Sequence, residues 1–76
     1  MTLTIVAKSN TANDVTLTGV DFNLVTIKEK TKRNGFQLVE VKIQNGKRAI
    51  NFSNGVYYSI SVQDEETGRF LLKYNR

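Results

Sequence analysis

The sequence predicts an all-β fold: a small antiparallel meander of six or seven strands, closed into a barrel or a strongly curled sheet. Three observations predict it. Apolar and polar residues alternate with period two along most of the chain, the pattern of half-buried strands. Turn signals such as Asn45-Gly46 and Ser53-Asn54-Gly55 punctuate that alternation at hairpin spacing. No long helical period and no proline interrupts it. The 76 residues leave room for one domain, 1–76, and at this length folding buries only about 60% of the unfolded surface.

Thr2 to Lys8 sets Leu3, Ile5 and Ala7 on one face, although Val6 breaks the polar side. Ser9 to Asp14 suits a turn, and Val15 to Thr18 alternates again with Val15 and Leu17 inward, which completes an N-terminal hairpin. Gly19 to Asp21 is either a second tight turn or a glycine bend inside one long strand from Val15 to Lys30, and the strand count follows from that choice. Phe22 to Ile27 carries apolar residues of both parities, so it is either covered on both sides or interrupted by a bulge. Both outcomes favour a closed or curled sheet.

After the basic loop Thr31–Gly35, pairing Lys30 with Phe36 aligns Ile27 with Val39 and Val25 with Val41. Val39 to Val62 reads as three strands. An Asn45-Gly46 type I′ turn sets Val41 opposite Ile50 and Val39 opposite Phe52. A Ser53-Asn54-Gly55 loop with Gly55 left-handed then sets Phe52 opposite Val56 and Ile50 opposite Tyr58. Asp64 to Gly68 is a turn whose Gly68 can go left-handed, with Val62 opposite Phe70, Ile60 opposite Leu72 and Tyr58 opposite Tyr74. The expected inner face holds Leu3, Ile5, Val15, Leu17, Val25, Ile27, Val39, Val41, Ile43, Ile50, Phe52, Val56, Tyr58, Ile60, Val62, Phe70, Leu72 and Tyr74.

The chain has no cysteine and no histidine, which removes disulfides, the usual zinc ligands and the Cys–His and Ser–His nucleophile pairs. Asp64 to Thr67 suits a hairpin loop and lacks calcium-loop spacing. Asn45-Gly46-Lys47 lacks the upstream glycine and the strand-to-helix context of a phosphate loop. The expectation is a non-enzymatic protein without metal or cofactor. The N-terminal residues lack a basic region followed by a long apolar core, and no apolar run approaches the roughly 20 residues of a membrane helix, so the expected location is the cytoplasm with no membrane partner.

The net charge is +4. In a meander, successive turns alternate between the two ends of the sheet, which gathers Lys30, Lys32 and Arg33 at one end, with Lys28 just below and Arg76 arriving at the terminus. By itself a charge run such as KEKTKR keeps a strand edge soluble. The expected outer face adds Lys42, Lys47, Tyr57, Arg69 and Lys73 among Asn51, Ser59, Ser61 and Gln63. Cations around an exposed aromatic ring suit phosphates and a stacked base, so the sequence points to a nucleic-acid-binding module. The alternative is a protein-binding accessory or inhibitory protein of a phage or mobile element, which the small size and the Asn-, Lys- and Thr-rich composition suit.

Overall fold

A computed structural model describes residues 1–76. It contains seven strands, β1 (Thr2–Lys8), β2 (Val15–Asp21), β3 (Val25–Thr31), β4 (Gln37–Asn45), β5 (Arg48–Ser53), β6 (Ser59–Asp64) and β7 (Phe70–Asn75). A single 3-10 turn, Phe22–Leu24, links β2 to β3. No helix is long and apolar enough to cross a membrane. The strands form two antiparallel sheets, one of order β2-β1-β6-β7 and one of order β3-β4-β5. No closed barrel forms, and the meander is broken twice: β2 and β3 lie in different sheets, and β6 pairs with β1 and not with β5.

Asn54 is the physical reason for the second break. Its backbone N–H donates to the Val39 carbonyl at 3.0 Å and its Oδ1 accepts from the Val39 N–H at 3.2 Å, so it ends β5 against β4. The N–H groups of Val56 and Tyr57 then both donate to the Ser53 carbonyl, which lifts the chain out of the second sheet. Tyr58 donates to the Lys8 carbonyl at 2.9 Å and begins the β1–β6 ladder. Gly55 therefore does not take the left-handed conformation expected of it, and a Cβ there would meet only Ser53 Oγ at an ordinary 3.7 Å. The alignments of Phe52 with Val56 and Ile50 with Tyr58 go with it.

The four hairpins form, but three of them sit two residues away from the expected register. Val41 pairs with Phe52, Ile27 with Val41, and Val62 with Leu72. The β4–β5 case shows why. Gly46 has φ +63° while Lys47 keeps a negative φ, so the loop is Gly46-Lys47 in the pattern of a type II′ turn, with glycine first, and not Asn45-Gly46 in type I′. A two-residue slip returns every side chain to its original face, so the inward assignments largely survive it.

Leu3, Ile5, Ala7, Ile60, Val62 and Leu72 from the first sheet meet Val39, Val41, Ile43 and Phe52 from the second in one buried cluster. Full burial of each aliphatic side chain contributes roughly 1.5–3 kcal/mol, so this cluster is what joins the sheets. Val15, Leu17, Val25, Ile27 and Tyr74 pack at its margin. Three residues expected inside are exposed instead: Ile50 at 36%, Val56 at 48% and Phe70 at 41%. Ile50 lies on β5, which is an edge once β6 has moved to β1. Val56 lies in the crossover. Phe70 is turned outward, opposite Gln63, by an irregularity between Val62 and Gln63. Tyr58, also expected inside, is half-buried.

Gly19 settles the ambiguous stretch after Val15. It marks a register shift within β2, its φ is +64°, and the chain turns to the second sheet only at Phe22. Its N–H, free of the ladder, donates to Glu65 Oε2 at 2.8 Å, and the Thr4 hydroxyl donates to the same oxygen at 2.7 Å. These donors, with the Thr2 hydroxyl, hold the Glu65 carboxyl below its ordinary value of 4.5. A depressed folded pKa contributes stability that is present above the unfolded value and lost as pH falls through the folded one. Glu65→Gln is thus expected to lower the melting temperature at neutral pH, with the wild-type-minus-variant difference closing below about pH 4. A difference independent of pH would show that the carboxylate charge contributes nothing to this bridge.

Candidate nucleic-acid interface

The β3–β4 hairpin extends past the rest of its sheet. The last β5 pair is Ser53 with Glu40, whereas the β3–β4 ladder runs on through Glu29–Val39, Lys30–Leu38 and Thr31–Gln37. It closes with Lys32 N–H donating to the Phe36 carbonyl at 2.7 Å and Gly35 N–H donating to the Lys32 carbonyl at 2.9 Å. Arg33-Asn34-Gly35 is therefore a three-residue loop in which Gly35, at φ +81°, takes the left-handed position. Asn34 Oδ1 accepts from the Phe36 N–H at 3.0 Å and stiffens the tip. Every residue from Lys28 to Gln37 is exposed.

Strand alternation sorts the hairpin into two faces. Val39, Val41 and Ile43 point into the core, so their neighbours Leu38, Glu40 and Lys42, and the partners Lys30, Lys28 and Thr26, point outward. The Lys32–Phe36 closure continues the outward row: Lys32 Nζ stands 5.7 Å from the centroid of the Phe36 ring. The outer face of the hairpin thus carries Lys28 and Lys30 on β3, Lys32 just past its end, and Leu38 and Phe36 alongside the last two. Glu40, at its base, accepts from Asn51 Nδ2 at 2.9 Å. A shallow depression lined by Thr26, Lys28, Glu40 and Lys42 lies next to it.

The ten residues expected to form the site divide. Lys28, Lys30, Lys32 and Lys42 share the outer face of the second sheet, and Arg33 sits at the hairpin tip. Arg76 arrives at the same end, where its Nη2 donates to the Asn54 carbonyl at 3.3 Å, and Asn54 in turn touches the base of the hairpin through Gln37 and Val39. Lys47 occupies the β4–β5 turn at the far end, and Arg69 the β6–β7 turn. Lys73 lies on the outer face of the first sheet, its Nζ 4.8 Å above the Phe70 ring, on the opposite side of the molecule from Lys42. The expected continuous face fails because β5 and β6 are in different sheets.

Tyr57 requires the largest correction. It is half-buried against the core with its ring edge-on to Phe52, centroids 5.4 Å apart and planes at 75°, so it is a packing residue and not an outward platform. The aromatic ring that does stand among exposed cations is Phe36, 49% exposed. Its place was hidden by the two-residue register shift: paired with Lys30 it sits at the mouth of a long loop, whereas across from Lys32 it ends the row of lysines. Reading Arg33-Asn34-Gly35 as a three-residue loop with a left-handed glycine would have found it.

Fold and site together define a small two-sheet all-β domain with a projecting basic hairpin. No protein-family model, curated protein or solved structure matches the chain.

Proposed function

We propose that this chain is a non-enzymatic nucleic-acid-binding module acting through the β3–β4 hairpin. The observation that supports this reading is the gathering of Lys28, Lys30, Lys32 and Arg33 on one exposed, projecting ribbon. Of the two carboxylates on the ribbon, Glu29 pairs with Val39 on the other face and Glu40 stands opposite Lys28 at its base. Such a concentration of cations attracts phosphates over several ångströms and releases their counterions on binding. Lys42 and Arg76 extend the positive surface toward the body of the domain, while Lys47, Arg69, Lys73 and Tyr57 have no part in it.

The test is the paired reversal Lys32→Glu with Arg33→Glu, read by fluorescence anisotropy at several salt concentrations. Binding should weaken for every sequence tried, and the slope of log K against log salt should flatten by about 0.7–0.9 for each phosphate that the protein no longer neutralises. Unchanged affinity in the folded variant would remove the hairpin as the site.

A second reading, a protein-binding accessory of a phage or mobile element, draws on the free edge of β7. Phe70 and Leu71 there are 41% and 39% exposed, and no strand lies beyond them. An extended segment of a partner would add to that edge. On this reading the same charge reversal slows association with one protein, and no nucleic acid binds at physiological salt.

A further inference from the structure

Resting on the nucleic-acid reading above, we infer that the bound form is single-stranded and lies along the outer face of the hairpin. Its phosphates sit on Lys30 and Lys32, and one base stacks on Phe36. Three features of that face lead to this arrangement. Lys28 and Lys30 stand at alternate positions of β3 and Lys32 continues the alternation just past its end, so their stems rise at intervals of about 6.6 Å, comparable to the step between successive phosphates of a strand drawn out along the ribbon. The neighbouring row, about 4.8 Å away, is apolar at two levels, Leu38 of β4 beside Lys30 and Phe36 just before β4 beside Lys32, and carries the Glu40 carboxylate only beside Lys28. Phosphate and base partners are thus offered side by side, which suits a strand whose bases are unstacked and turned to the protein.

A duplex presents the opposite arrangement. Its phosphates are outside and its base edges lie at the bottom of a groove, where a two-stranded ribbon would meet them with hydrogen-bonding side chains. The outward face here offers aliphatic and aromatic groups at those positions, and the reverse face, Glu29, Thr31 and Gln37, brings a carboxylate toward the phosphates. The Phe36 ring also has Lys32 Nζ on one side at 5.7 Å while the residue remains 49% exposed. One base can cover the open side while the ammonium group stays close to the adjoining phosphate. Glu40, which pairs with Lys28 and is tied to Asn51, repels phosphate at that level and limits the track to the Lys30 and Lys32 end of the hairpin.

Phe36→Ala and Phe36→Trp test this, with a short oligothymidylate and a blunt hairpin duplex as probes. Phe36→Ala is expected to weaken oligothymidylate binding between about fivefold and about a hundredfold while leaving the salt slope unchanged, because the lysines still meet the phosphates. Lys30→Glu should do the reverse and flatten the slope. The chain has no tryptophan, so Phe36→Trp installs a lone reporter whose emission a stacked base should quench. If wild-type protein binds the duplex as tightly as the single strand and Phe36→Ala changes neither, the hairpin is a nucleic-acid site but the single-strand arrangement is overturned. If neither probe binds even at low salt, the nucleic-acid reading itself falls, and this inference with it.

Discussion

Ile60→Ala is expected to lower the unfolding free energy by about 2–5 kcal/mol, the cost of deleting a buried branched side chain and leaving a cavity. Ile60 is fully buried on β6, between Ala7 of β1 and Tyr74 of β7. That places it in the interior of its sheet, where neighbouring strands cannot collapse far into the space. A domain of this size has only about 5 kcal/mol or somewhat more in total, so the variant should be partly unfolded at room temperature. Urea titration followed by circular dichroism checks it, with Ser59→Ala, on the outer face beside Lys8, staying within about 0.5 kcal/mol of wild type. Ile50→Ala should cost clearly less than Ile60→Ala, because Ile50 is 36% exposed on the edge strand β5. Equal losses at the two positions would mean that β5 is covered and that the two-sheet arrangement is incorrect.

The contrast between Ile50 and Ile60 also marks what local pattern can and cannot carry. Alternation decides which side chains share a face, and a slip of two residues leaves that decision intact, which is why Val39, Val41, Ile43, Phe52, Val62 and Leu72 are buried as expected although their partners differ. Alternation holds no information about which strand lies next to which. Leu3, Ile5 and Ala7 would suit any apolar partner row. That they meet Asp64, Val62 and Ile60 is decided by the crossover at Asn54, more than half the chain away from β1. The polarity of Asn54 gave no sign of it, since asparagine before glycine reads first as a turn residue.

The candidate site was legible to a different extent. The cations of KEKTKR are a composition signal that survives any register, and the end of the sheet they occupy follows from the alternation of turns. The aromatic residue that accompanies them is a register-dependent fact. Tyr57 looked outward only on the assumption that β5 and β6 form a hairpin, and Phe36 joined the lysine row only once the loop tightened to Arg33-Asn34-Gly35.

Asn54→Leu tests the residue at the second crossing between the two sheets, from β5 to β6. Asn54 is the one buried polar residue, 5% exposed, and its side chain serves two backbone groups of β4: Oδ1 accepts from the Val39 N–H at 3.2 Å and Nδ2 donates to the Gln37 carbonyl. Leucine keeps the volume and removes both bonds. Val39 is fully buried, so its N–H is left without water or a partner, at about 1–3 kcal/mol, whereas Gln37 is exposed and its carbonyl can turn to solvent at smaller cost. The expected loss is about 2–4 kcal/mol, together with faster hydrogen exchange at the Val39 amide than global unfolding alone would give. Asn54→Asp separates the two bonds. Its carboxylate still accepts from Val39 but sets a second oxygen against the Gln37 carbonyl, which favours the protonated acid and raises the folded pKa above the unfolded value of about 3.9. Its deficit relative to wild type is therefore full at neutral pH and shrinks as pH falls through that raised pKa. An Asn54→Leu variant as stable as wild type, with Val39 still protected, would mean that the strand exchange is held by the apolar cluster alone.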